Sequence, residues 1–145
     1  MANSTALDSA SAATRPLPDR PLRILLADDD RDATISLATL LRLEGYAVRH
    51  VYDGGAALAE VREFDPDIVL VDIGMPTLTG YDVARHIRER YGKDRPVLIA
   101  LTGWKQASDR ILATLAGFHY HVAKPYDPGE LLALIRGLSG DIARR

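Results

Sequence analysis

Hydrophobic and polar positions follow one another in blocks along this chain, and the blocks switch between two periods. Arg23-Ile24-Leu25-Leu26-Ala27, Ile68-Val69-Leu70-Val71 and Val97-Leu98-Ile99-Ala100-Leu101 are short apolar runs bounded by turn formers. Such runs read as fully buried parallel strands. Ala47 to Val51 and Tyr120 to Ala123 are two weaker strands. Helical spacing fills the intervals. Ala33 to Leu43 carries Ile35, Leu37, Leu40 and Leu41, with Gly45 as a C-terminal stop. Asp53 reads as an N-cap for a helix over Gly54 to Glu63, with Ala57, Leu58 and Val61 on its buried side. Tyr81 to Arg90 turns Val83, Ala84 and Ile87 inward, and a further helix runs from about Ser108 to Ala116, closed by Gly117. The last opens on Asp127-Pro128-Gly129-Glu130, an N-cap acid with proline at N1 and glutamate at N3. Its stripe of Leu131, Leu134, Ile135 and Leu138 faces a core.

Strict strand-helix alternation with short loops predicts an α/β domain, a parallel sheet covered by helices on both faces. A chain of 145 residues is one domain's worth, and 47% apolar with 26% charged residues is ordinary for a globular protein. Residues 1–21, rich in Ala, Ser, Thr and Pro, are expected to form a disordered tail and lack the apolar stretch of a secretory signal. The domain is expected over 22–139, and 140–145 as a C-terminal tail too short for an output domain. The net charge of −2 weighs against a nucleic-acid binder. The basic run Arg85, His86, Arg88, Arg90, Lys93, Arg95 lacks interleaved aromatics and reads as a solvated helix face. Without cysteine there is no disulfide framework or thiolate metal site, which suits the cytoplasm. The apolar runs fall far short of the roughly 20 residues that span a bilayer, so no membrane segment is expected.

The candidate chemistry lies just beyond the strands. Asp28-Asp29-Asp30 follows the first, Asp72 the third, Thr102-Gly103 the fourth and Lys124-Pro125 the fifth. Open α/β sheets place ligands at these carboxyl ends. Crowded carboxylates repel unless a cation neutralises them, and an all-oxygen set with few protein ligands suits Mg²⁺ better than Ca²⁺. Taken singly, Asp28 or Asp30 reads as a helix cap, Thr102 as a turn residue and Lys124 as a surface lysine. Together they point to a site for an oxyanion.

Leu-Leu-Ala-Asp28-Asp29-Asp30, Val-Asp72-Ile-Gly-Met75-Pro76-x-x-x-Gly80, Leu-Thr102-Gly and Lys124-Pro125 resemble the receiver domain of two-component response regulators, over about Leu22 to Leu138. The resemblance implies a flavodoxin-like doubly wound five-stranded sheet, ordered 2-1-3-4-5. It also implies that Asp72 takes a phosphoryl group from a phosphohistidine of a sensor histidine kinase or histidine phosphotransfer protein. Asp28, Asp29, Asp72 and the Gly74 carbonyl would hold Mg²⁺. Thr102 and Lys124 would contact the phosphoryl oxygens, and the Lys124-Pro125 bond would be cis. The resemblance further implies a phosphoacceptor rather than an enzyme, a monomer or weak dimer, and a signalling surface on the fourth helix, fifth strand and fifth helix.

Departures from the family pattern carry further expectations. His121, three residues before the lysine, stands where the family more often has tyrosine or phenylalanine as a switch residue. It reads more simply as a half-buried strand histidine than as a pH sensor. Gly74 and Trp104, two residues after Asp72 and Thr102, flank the route of attacking water, and Trp104 is expected to slow hydrolysis or to be a plain loop aromatic. Thr79 replaces an acid and is expected to matter little. Two rival functions stand beside the phosphoacceptor. An aspartate-nucleophile phosphatase or phosphotransferase would carry a second acid where Gly74 stands, and a partner-binding pseudo-receiver would not need the complete acid, threonine and lysine set.

Overall fold

Five parallel strands make one sheet in a computed structural model that describes residues 20–103 and 107–144. The strands are β1 (Arg23–Ala27), β2 (Ala47–Val51), β3 (Ile68–Asp72), β4 (Val97–Thr102) and β5 (Tyr120–Ala123). They lie in the order β2-β1-β3-β4-β5, so the chain reverses direction across the sheet between β1 and β3. The helices are α1 (Arg31–Leu43), α2 (Gly54–Phe64), α3 (Gly80–Tyr91), α4 (Ala107–Ala116) and α5 (Pro128–Arg144). The α/β class, strand order and helix sequence follow the expectation. Most of the expected tail, residues 1–19, and Trp104 lie outside the described residues.

Alternation along the strands divides the core in two. Ile24 and Leu26 point to one face with Leu37, Ala38 and Leu41 of α1 and Leu131, Ile135 and Leu138 of α5. Leu25 and Ala27 point to the other with Ala57 and Val61 of α2, Val83, Ala84 and Ile87 of α3, and Ala113 and Ala116 of α4. Both faces are covered, which is why β3 and β4 are buried at every position.

Three details differ from the sequence expectation. In α1 the buried stripe is Thr34, Leu37, Ala38 and Leu41, whereas Ile35 is 49% and Leu40 36% exposed. Asp30 sets this phase as the N-cap, accepting from the Ala33 N–H at 3.2 Å. The Thr34 hydroxyl donates to the Asp30 carbonyl at 2.7 Å, which lets a polar side chain go inside. At the chain's end, α5 continues to Arg144 instead of giving way to a tail at 140. Ile142 extends the stripe one turn beyond Leu138 and is itself buried. Thr79 is the N-cap of α3 and forms a reciprocal capping box with Asp82. Its bonds join positions three apart in the sequence. The Lys124-Pro125 bond is cis as expected, and Arg95-Pro96 is cis as well. Among the described residues no helix is long and apolar enough to cross a membrane.

Candidate functional site

Register brings the acids together. Ala27 of β1 pairs with Val71 of β3, so the next residues, Asp28 and Asp72, leave adjacent strands side by side. Asp28 is 4% exposed and Asp72 8%. The Asp28 carboxylate accepts from the Asp30 N–H at 3.0 Å, and the Asp72 carboxylate from the Gly74 N–H at 3.0 Å. Each acid is therefore held by the backbone of its own loop. Asp29 is exposed and completes the group: oxygen atoms of Asp28, Asp29 and Asp72 all lie within 4.8 Å of one another.

Lys124 reaches this group from the far side of the sheet. It follows β5, and its side chain passes the ends of β4 and β3 to place Nζ 2.8 Å from Asp28 Oδ2 and 3.7 Å from Asp72 Oδ2. Its N–H donates to the Thr102 carbonyl at 2.8 Å, which ties the loop after β5 to the end of β4. Thr102 pairs with Ala123 and is 4% exposed, so its hydroxyl belongs to the same buried edge.

The loop between Asp72 and α3 is built around one close approach. A Cβ on Gly80 would lie 2.7 Å from the Asp72 carbonyl oxygen and 2.7 Å from Ile73 Cα. Only glycine allows the start of α3 to pass so near the phosphoacceptor candidate. The Gly80 N–H donates to the Ile73 carbonyl at 3.1 Å, closing the loop. Within it Thr77 takes φ 68, a strained backbone for a β-branched residue.

Burial raises the Asp72 acid from 3.8 to about 6, with Asp28 and Asp29 adding to the rise and the Gly74 N–H and Lys124 opposing it. Desolvation works against the Lys124 ammonium, but the hydrogen bond and charge of Asp28 and the charge of Asp72 outweigh it, and its pKa is raised. At neutral pH the edge holds an ionised, poorly solvated carboxylate beside a cation. This donor set fits a hard divalent ion: all oxygen, two members buried, and one of them kept short of solvation.

Tyr126 was not among the sequence candidates. It is half-buried beside the acids, and desolvation, then Asp28, raises its phenol. An aromatic two residues after a strand-end lysine carries no signal of its own in the hydrophobic pattern. His121 is exposed on β5 rather than half-buried. Partial desolvation and then Arg110 hold it below the usual histidine value, so it is neutral at pH 7. The expected site residues Asp28, Asp29, Asp72 and Lys124 thus meet at one point, Thr102 and Gly74 border it, and His121 lies on the outer strand.

The basic run does not form one surface. Arg85 pairs with Asp82. Arg88 instead turns inward, donating to the Gly117 carbonyl at 2.9 Å and meeting His119 Nδ1 at 3.1 Å.

Comparisons with known proteins point one way. The family model of the response regulator receiver domain matches residues 24–136. The response regulator MprA of Mycolicibacterium vanbaalenii is 40% identical over 118 residues, which cover 81% of this chain and 50% of that protein. The chain spans about half the length of the curated relatives it matches. Among solved structures, a CheY-like receiver domain protein from Methanospirillum hungatei superposes with a TM-score of 0.77 at 26% identity, covering 83% of this chain and 95% of that one. A LuxR-family two-component response regulator from Aurantimonas gives 0.75 at 32% identity, covering 86% and 88%.

Proposed function

The chain belongs to the response regulator receiver domains, and from that membership we propose that Asp72 accepts a phosphoryl group from a phosphohistidine of a sensor kinase or histidine phosphotransfer protein. Receiver domains of this family are signalling switches rather than classical enzymes. The observation that carries the reading is the convergence of Asp28, Asp72 and Lys124, with Nζ 2.8 Å from one carboxylate and 3.7 Å from the other.

Asp72 Oδ1 is occupied by the Gly74 N–H, so Oδ2 is the oxygen that attacks phosphorus. The new O–P bond forms as the P–N bond to the donor imidazole breaks, and the electron pair leaves with the imidazole nitrogen. Above about pH 6 Asp72 is ionised and needs no general base. When bound, a magnesium ion held by Asp28, Asp29, Asp72 and the Gly74 carbonyl supplies positive charge that offsets the acids and the transferring phosphoryl oxygens. Lys124 places its ammonium against the same oxygens. Thr102 then donates its hydroxyl to one of them, drawing the end of β4 inward, and His121 follows on β5. The shift is read on the face of α4, β5 and α5, where Ile111, Leu112 and Leu115 are 61%, 52% and 77% exposed.

Incubation with acetyl phosphate tests the reading. We expect one acyl phosphate per chain, dependent on Mg²⁺ and absent from Asp72→Asn. Turnover of many equivalents would instead favour a small-molecule phosphatase, and undiminished labelling of Asp72→Asn would remove Asp72 from the mechanism.

A further inference from the structure

His119 sits where β4 has begun and β5 has not. The pairing of these strands starts at Ile99 and Tyr120, so the preceding residue, Leu98, has no strand residue of β5 beside it. Leu98 is fully buried. His119 takes the place of that strand with both its backbone and its ring. Its N–H donates to the Leu98 carbonyl at 2.9 Å. Its Nδ1 lies 3.2 Å from the Leu98 nitrogen, whose N–H can only donate.

The other contacts fix the protonation state of the ring. Nδ1 must be bare to accept from Leu98, and it also accepts from the Arg88 guanidinium at 3.1 Å. Nε2 lies 3.0 Å from the Lys93 carbonyl, which can only accept, so Nε2 carries the hydrogen. The imidazole is therefore neutral, with both nitrogens engaged. Arg88 in turn donates to the Gly117 carbonyl at 2.9 Å and the Gly92 carbonyl at 3.2 Å. Glycine is required there, because a Cβ on Gly117 would collide with Arg88 Cγ. One neutral ring thus ties the end of α3 to the start of β4 and to the turn that closes α4.

We propose that His119 is a pH-operated latch: neutral, it holds α3, β4 and the turn after α4 together, and protonated in mild acid it lets go of Leu98 and Arg88. His119 is exposed, so water reaches the ring without unfolding of the chain. The added proton has to enter at Nδ1, against the Leu98 N–H and a guanidinium. The charged groups packed around it are mixed. Arg85, Glu89 and Lys93 line the same groove, Arg85 is paired with Asp82, Asp94 supports the Arg88 charge, and the Tyr120 ring lies 6.5 Å away. Arg88 faces the protonation site itself at hydrogen-bond distance and sets the sign. The folded chain favours the neutral ring, so the latch is complete above the unfolded histidine value of about 6.5 and is lost as pH falls from there through the folded one. Release leaves the buried Leu98 N–H without its acceptor and frees the end of the helix that carries Ile111, Leu112 and Leu115. The latch is independent of the carboxylate edge.

Nuclear magnetic resonance of the full chain, followed from about pH 8 to about pH 5, tests the latch. Near neutrality the His119 ring should show a bare Nδ1 and a protonated Nε2, and the opposite tautomer overturns the proposal. On acidification His119 should titrate with a midpoint below that of the histidines in the urea-unfolded chain. The amide signals of Leu98 and of Phe118, whose peptide carries the Gly117 carbonyl, should move with that midpoint. A midpoint at or above the unfolded one, or amides that stay still, overturns it, and neither reading depends on a variant that folds. Arg88→Met should raise the His119 midpoint by roughly 0.7 of a unit, the repulsion of two unit charges about 4 Å apart in water; an unchanged midpoint in the folded variant counts against the latch. His119→Gln keeps a neutral acceptor and should abolish the amide movement. Movement that persists there assigns the effect to His86 or His121 and likewise overturns it.

Discussion

Replacing Asp72 with asparagine measures what the folded chain gives up to hold an ionised carboxylate at the sheet edge. Burial, supported by Asp28 and Asp29 against the Gly74 N–H and Lys124, lifts this acid from 3.8 to about 6. Between those values the folded chain keeps a proton that the unfolded chain releases. Stability is therefore greatest below the unfolded value and is lost as pH rises through the folded one. At about 1.4 kcal/mol per pKa unit the full displacement is worth up to about 3 kcal/mol at pH 7.5. Water at a side chain still 12% exposed reduces this, so about 1–3 kcal/mol is expected. Asparagine is neutral, has the same shape, and retains a carbonyl oxygen for the Gly74 N–H. Asp72→Asn should thus raise the unfolding free energy by that amount at pH 7.5, or Tm by ~4–12 °C for a domain of this size. The gain should shrink below about 1 kcal/mol at pH 4, where wild-type Asp72 is already protonated in the folded chain. Urea unfolding followed by far-ultraviolet circular dichroism in EDTA, at both pH values, reads the difference, provided the slopes agree. Coincident midpoints at pH 7.5, or an undiminished gain at pH 4, would refute the claim that burial of charge dominates at Asp72.

Two further substitutions probe the site's supports. Lys124→Met leaves the buried Asp28 carboxylate without the ammonium now at 2.8 Å. It should cost about 1–3 kcal/mol at pH 7.5 in EDTA, below the range for a fully buried pair because Lys124 is partly exposed. Millimolar Mg²⁺ should restore much of that loss in urea titrations, and no restoration would argue against a cation site at these acids. Thr79→Ala removes the N-cap of α3 and should cost about 1 kcal/mol by the same assay. Part of the penalty should fade in acid: the Thr79 backbone N–H, which alanine keeps, and the Thr79 hydroxyl, which it lacks, both hold the Asp82 acid below its ordinary value, and the hydroxyl's share is lost as pH falls through the folded pKa.

What could be read before folding, and what could not, follows from the range of each interaction. The buried strands and the last helix were legible because their signals are local: contiguous apolar runs, a proline at N1, a stripe at fixed spacing. The meeting of Asp28, Asp72 and Lys124 is not local, and physical pattern alone left each open as a cap, a loop residue or a surface charge. Only the combination of several strand-end motifs, through the family resemblance, joined them before the register of β1 and β3 did. Errors arose where polar groups serve structure. Thr34 is buried because it bonds backbone oxygens within its own helix turn, so a hydrophobic pattern selected Ile35 in its place. Thr79 stands where the family pattern has an acid, yet its hydroxyl caps a helix. Ile142 escapes the pattern because a single apolar residue after Ser139-Gly140 carries little periodicity, yet the preceding stripe extends to it. Tyr126 and the inward turn of Arg88 depend on tertiary contacts alone and leave no trace in spacing.

The central claim is that one carboxylate, Asp72, receives the phosphoryl group, and borohydride reduction after phosphorylation tests it most directly. An aspartyl phosphate is reduced to homoserine, which peptide mass spectrometry places at a single residue. Homoserine at position 72 alone, formed with Mg²⁺ and lost in EDTA, is the predicted result. Homoserine at position 28 or 29, or none at all in a chain that still consumes the phosphodonor, would contradict it.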